Sequence, residues 1–179
     1  MGEGFELPER HHGGEDDPLV LPVSITISIM AVLVAGATLL GHRAHTEELL
    51  LQSQATDQWA YYQAKNGRYH GMQNTADLIE TMIPRDKDKA EAKLEKYEKD
   101  IERYDSDKED ISEKAKELEK ERDLVSRRAD RFDGGEALLE IGLVICSITL
   151  LTKRKAFWFG GGLIGILGIA LAATGLLLH

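Results

Sequence analysis

Three apolar runs, separated by a long and heavily charged stretch, constrain this chain more than any other feature of its sequence. The first run, Leu19 to Leu40, holds no charge over 22 residues. At about 1.5 Å of rise per residue such a helix crosses the roughly 30 Å hydrocarbon layer of a bilayer. The third run, Phe157 to Leu178, is equally free of charge and opens on Phe157, Trp158 and Phe159, aromatic residues suited to the headgroup level. The second, Gly134 to Thr152, carries Glu136 and Glu140 in its first two turns. The dozen apolar residues after them are too few to span alone, so this run is expected to form a hairpin with the third through the turn at residues 153–156. The fold class that follows is an all-α membrane protein with three transmembrane helices, at residues 19–41, 134–152 and 157–178.

Residues 42–133 hold 18 basic against 23 acidic side chains. Charge of both signs, evenly mixed, fits solvated helices paired internally and not the one-sided basic face that binds nucleic acid. From about Arg85 to Asp133 the pattern repeats at 3-4 spacing. Leu94, Tyr97, Ile101, Tyr104, Ile111, Ala115, Leu118, Val125, Ala129 and Phe132 share one line, interrupted by Lys108 and Arg122. That is a heptad seam, and its two charges would fix partner and register. Leu51, Ala55, Gln58 and Tyr62, then Ala76, Ile79 and Ile83, give the preceding leg a rougher version of the same spacing. The sequence predicts an interruption at Asn66-Gly67 and a reversal near Pro84. The two legs would then form a helical coiled-coil hairpin, a stalk about 60 Å long at helical rise. Spacing alone leaves open whether the seam closes within one chain or between chains.

Residues 1–18 form an acidic tail, with Arg10 against Glu3, Glu6, Glu9, Glu15, Asp16 and Asp17. Acidic residues ahead of the first run, and its length, argue for a retained span over a cleaved signal peptide. Lys153-Arg154-Lys155 makes the turn between the last two runs a short basic loop, which favours the cytoplasmic side. The N-terminus is then cytoplasmic, with the stalk and C-terminus outside. Arg43, Arg127, Arg128 and Arg131 vote the other way, but long loops translocate with less regard to charge.

Candidates for chemistry are few. Glu136 and Glu140 lie four residues apart and share one helix face, where an intramembrane acid needs a partner, water or a proton. Pairing with Arg128 or Arg131 at the interface is the simpler expectation. Gly161 and Gly165 form a GxxxG pair, extended by Gly168, Ala172 and Gly175, and Gly142 and Cys146 offer a similar patch on the second run. Small residues in these positions predict close helix packing, between the second and third spans or between protomers. His11 and His12 near Glu15, Asp16 and Asp17 lack a rigid element to hold a metal. Cys146 is a lone packing residue without a disulfide partner. No phosphate-binding loop, dinucleotide fingerprint, zinc-protease motif or activated nucleophile is present. The chain is expected to be no enzyme, without cofactor or metal.

Two stretches carry a resemblance to a known family. Asp57-Gln58-Trp59-Ala60-Tyr61-Tyr62-Gln63-Ala64-Lys65 follows the first run, and Arg131-Phe132-Asp133 with Glu136-Ala137-Leu138-Leu139 precedes the basic turn and glycine-rich last run. In these the chain resembles the DUF4337 family of small bacterial membrane proteins, over about residues 19–178. The resemblance implies a location in the bacterial inner membrane and supplies no reaction. Trp59, Tyr61 and Tyr62 point in adjacent helical directions, so at least one must meet a surface beyond the seam.

The expected role is structural or accessory: a membrane protein that forms a homo-oligomer, or docks as a subunit onto a larger membrane assembly, through its stalk and its small-residue spans in the lipid bilayer. One alternative is a proton- or ion-conducting component using Glu136 and Glu140. Another is a membrane sensor relaying rearrangement of the stalk.

Overall fold

The computed structural model describes residues 18–82 and 86–178. Three helices account for nearly all of them: α1 (Val20–Thr81), α2 (Lys87–Thr152) and α3 (Lys155–Leu177). Each contains a stretch long and apolar enough to cross a membrane. The expected reversal at Pro84, the seam residue Ile83 and the histidine-containing tail lie outside the described residues.

The expected interruption at Asn66-Gly67 is absent, because α1 runs unbroken through both residues. Glycine costs up to about 1 kcal/mol in a helix interior, and here lateral packing outweighs it: Asn66 Oδ1 accepts a hydrogen bond from Lys108 Nζ of α2 at 3.4 Å. The changes of composition near residues 41 and 133 also fall inside unbroken helices. Hydroxyl side chains are compatible with this continuity. Thr26, Ser28, Thr46 and Thr56 each donate to the carbonyl four residues back, at 2.8–2.9 Å, which satisfies them without breaking the ladder.

At the start of α2, Asp86 serves as the cap. Its carboxylate accepts the Lys89 backbone N–H at 3.3 Å and faces the Lys89 ammonium at 2.9 Å. These contacts hold the Asp86 carboxyl below its ordinary range, the Lys89 side chain contributing most. The end of α2 is unusual. Lys153 has φ 55, a left-handed conformation, and its N–H bonds the Thr149 carbonyl at 2.8 Å. That is the single-bond left-handed helix stop, in which glycine is the usual occupant. A lysine here trades backbone ease for a positive charge in the turn.

The described residues form two packed units. One consists of residues 18–41 and 130–178, the other of residues 42–129.

In the three-helix unit small and large apolar residues share the core. Met30, Ala37, Leu139 and Cys146 form its buried cluster, flanked by Ile27, Leu33, Val34, Leu143 and Trp158. The outer surface is apolar: Val32, Phe159, Leu163 and Leu177 are each exposed by two-thirds or so.

In the two-helix unit α1 and α2 lie side by side in opposite directions. Gln52 meets Arg122, Trp59 meets Glu119, and Lys65 meets Asp107. The seam closes here within one chain. Tyr104, Ile111, Ala115, Val125 and Ala129 of α2 are buried, as are Ala44, Ala55 and Ala76 of α1. Leu94, Tyr97, Ile101, Leu118, Leu51, Gln58, Tyr62 and Ile79 are half-buried. Its alanines allow close approach, and its exterior is charged.

Candidate functional site

The α2–α3 contact is set by what their glycines lack. A Cβ at Gly161 would lie 2.6 Å from both Cys146 Sγ and the Gly142 carbonyl oxygen, and one at Gly142 would lie 2.7 Å from the Gly161 carbonyl oxygen. At Gly168 the obstacle is the Gly135 carbonyl oxygen at 2.8 Å, and at Gly165 it is the Met30 Cε of α1 at 2.6 Å. Backbone therefore touches backbone along this line, in one chain. Dispersion from such close approach drives helix association where burial of apolar surface gives no advantage. Gly135 belongs to the same contact, and the sequence reading missed it because Gly134-Gly135 looked like the start of a span.

Trp158 also works inside this unit. The position at the start of the third run suggested a headgroup anchor. Its indole N–H donates to Thr26 Oγ1 of α1 at 3.1 Å, while its carbonyl lies 3.7 Å from Cys146 Sγ of α2. One residue thus ties all three helices. Phe159, in contact with its ring at 5.3 Å, remains two-thirds exposed.

The two acids part company. Glu136 is half-buried, and its Oε1 accepts a 2.5 Å hydrogen bond from Thr38 Oγ1 of α1. Glu140 is exposed. In hydrocarbon an unpaired acid at helix mid-depth costs roughly 3 kcal/mol on insertion scales. The side-chain contact seen for Glu136 is with Thr38 of α1. Sequence separation hid that partner, 98 residues away.

The middle of the two-helix unit holds a polar layer. Lys65 of α1 donates to Asp107 Oδ2 of α2 at 2.6 Å, and its Nζ lies 4.8 Å from the Tyr104 ring centre. Lys108 of α2 answers with its Nζ 3.7 Å from the Tyr69 ring centre of α1 and a 3.2 Å ion pair to Asp105. The two lysines are only 16% and 12% exposed, so each is an ammonium held on a partner-helix ring. Asp107 raises the Lys65 ammonium above its ordinary value, against a smaller opposing effect of desolvation. Such layers fix register, since a slip strands both charges. Lys108 was recognised in the sequence as a seam charge, whereas Lys65 and Asp107 were not.

The aromatic triplet is divided among three surroundings. Tyr62 is half-buried on the seam and meets Trp59 edge-on at 5.7 Å. The Trp59 indole N–H donates to Glu119 Oε1 at 2.8 Å on the flank of α2. Tyr61 is 51% exposed. Phe132, at the end of the heptad line, is buried in the three-helix unit.

Among the described residues no group of His, Cys, Asp and Glu is placed to hold a metal ion. A groove of about 240 Å³ in the three-helix unit is lined by apolar residues, Leu33, Ala37 and Leu139 with Ile169 and Ala172 among them. It offers nothing to orient a polar substrate. No curated protein and no solved structure matches the chain. The family model of a domain of unknown function, DUF4337, matches residues 21–178, nearly the whole sequence, and the chain belongs to that family.

Proposed function

We propose that this protein is an integral membrane protein of structural or accessory type, in which a coiled-coil stalk is carried on a compact three-helix membrane anchor. It oligomerises or docks onto a larger assembly in the bacterial inner membrane. The observation that carries this reading is the contrast between the two exteriors. The three-helix unit turns apolar side chains outward and packs glycine against glycine inside, as a lipid-embedded bundle does. The two-helix unit turns mixed charge outward and closes its seam on itself. Seam residues engaged within the chain are spent, so association falls to outward-facing surfaces. The basic Lys153-Arg154-Lys155 turn favours a cytoplasmic N-terminus with the stalk outside.

The separation of Glu136 from Glu140 supports this reading over conduction. A conducting path needs both acids along one wet surface, whereas one is held by Thr38 and the other faces outward. The test is the mass and composition of the complex extracted from native membranes in mild detergent. A defined homo-oligomer, or stoichiometric co-purification with another membrane protein, is expected. A monomer alone would refute it, and ion flux abolished by Glu136→Gln with assembly intact would favour conduction.

A further inference from the structure

Glu140 occupies a place in the three-helix unit that its neighbours define well. Two residues on, Gly142 packs on Gly161 and Gly165 of α3 and on Met30 of α1. Met30 and Gly165 sit near the middle of their own apolar runs. Glu140 is thus within about 3 Å, in height, of residues central to both neighbouring helices. Glu136 lies about 6 Å nearer the end of the bundle, level with Thr38, two residues from the end of the first apolar run. Glu140 is also turned away from the bundle. Ala137 beside it is exposed, and Ile141 and Val144 are 50% and 57% exposed. Among the described residues no side chain hydrogen bonds or pairs with the Glu140 carboxylate, so a single acid stands on an otherwise apolar face at mid-depth.

From this we infer that the outer face of α2, centred on Glu140 and bordered by Ala137, Ile141 and Val144, is a lateral docking site for a transmembrane helix that carries a basic side chain at mid-depth. This rests on the reading of the chain as a membrane-embedded accessory protein and gives that reading a surface. Charge complementarity selects the occupant. Lipid tails give the acid no counter-charge, and removal from water makes an intramembrane acid seek a partner. A second copy, inserted in the same sense, presents the same residues at the same depth. The basic residues of the three-helix unit are Arg131 at one end and Lys153, Arg154 and Lys155 at the other. A second copy would bring Glu140 against Glu140, a like charge. A partner helix with one central lysine, arginine or histidine supplies what is lacking.

The test uses the full chain in phosphatidylcholine vesicles with three fluorescent transmembrane peptides, leucine-rich and identical except for a central Lys, Leu or Glu. Energy transfer to a labelled chain reads association. The lysine peptide is expected to bind about tenfold more tightly than the leucine peptide, as an interhelical polar contact gives. Glu140→Leu should erase the difference and Glu140→Gln most of it, with helicity and insertion unchanged because the side chain is exposed. Equal binding of the three peptides, or a preference that survives Glu140→Leu, overturns the proposal. Self-association lost in Glu140→Leu and not displaced by the lysine peptide assigns the face to a second copy and also overturns it. Carbonate extraction separates this from the broader reading: a chain released by carbonate refutes both, and a retained chain that does not discriminate refutes only the docking site.

Discussion

The two units of this protein solve one problem, how to hold long helices together, with opposite materials. In residues 18–41 and 130–178 the helices meet through absence, with glycines admitting backbone to backbone. In residues 42–129 they meet through large and charged side chains: Ile111, Val125 and Tyr104 buried beside alanines, and two lysines held on tyrosine rings. The difference follows from the surroundings the proposed topology gives each unit. In water, burying apolar side chains is itself the driving force. In lipid it is not, and close fit must supply the association. The same residue type therefore has opposite meanings in the two halves of one helix.

The largest expected effect comes from filling the glycine contact. Gly161→Leu places a side chain where Cys146 Sγ and the Gly142 carbonyl already lie. Neither can give way, since one is backbone and the other sits at full burial. Overpacking of this kind should cost about 3 kcal/mol, read as detachment of α3 in a denaturant titration in micelles, with the two-helix unit still helical. If the bundle tolerates leucine there, close backbone approach is not what holds it. In the other unit the counterpart is removal of bulk. Ile111→Ala leaves a cavity opposite α1 and should destabilise the two-helix unit by about 2–4 kcal/mol, seen as an earlier thermal transition by circular dichroism.

Glycine then sharpens the comparison from the other side. A Cβ at Gly67 meets nothing within 4 Å, so Gly67→Ala adds helix propensity at no steric cost. The two-helix unit should gain about 0.5–1 kcal/mol, measured in the same thermal experiment. The opposite sign from Gly161 is the point: one glycine is there for space and the other is not. A loss at Gly67 would mean that α1 needs flexibility at this place.

Much of this was legible in the sequence for a physical reason, and the rest was hidden for one. The seam of α2 could be read because Tyr104, Ile111, Val125 and Phe132 are apolar at heptad spacing. Its mate on α1 was legible only in part: Leu51, Ala55, Gln58, Tyr62, Ala76 and Ile79 showed the spacing, whereas the half-buried Lys65 and Tyr69 did not, because a polar residue satisfied across a helix pair looks solvated in one dimension. Asn66-Gly67 read as a break since local propensity is all a sequence displays, whereas the bond from Lys108 is a tertiary fact. Gly142, Gly161, Gly165 and Gly168 announced close packing through their spacing, but whether the other helix belonged to the same chain was settled only by the contacts. For the acids, composition gave Glu136 and Glu140 one face. The structure distinguishes them by a partner, Thr38, that no spacing rule connects.

The smallest effect concerns the polar layer, and it is one of pH. The Asp107 carboxylate at 2.6 Å raises the Lys65 ammonium above its ordinary value near 10.5. A group whose folded-state value is raised contributes stability that is fully present below the unfolded value and is lost as pH rises through the folded one. The two-helix unit should therefore hold its stability through neutral pH and lose part of it above about pH 10.5, as the lysine gives up its proton. Alkaline pH acts on the whole protein, so the comparison that isolates this pair is with Asp107→Asn. The asparagine variant should be the less stable near neutrality, and the gap between the two proteins should narrow as the solution becomes alkaline. The pair is partly open to water, Asp107 being 38% exposed, so screening keeps its contribution small and salt should reduce it further. A gap that stays constant across the alkaline range would show that Asp107 acts through packing or local helix structure. The charge of this pair would then be incidental, and register would rest on the other contacts between the helices, Lys108 on the Tyr69 ring and Trp59 on Glu119 among them.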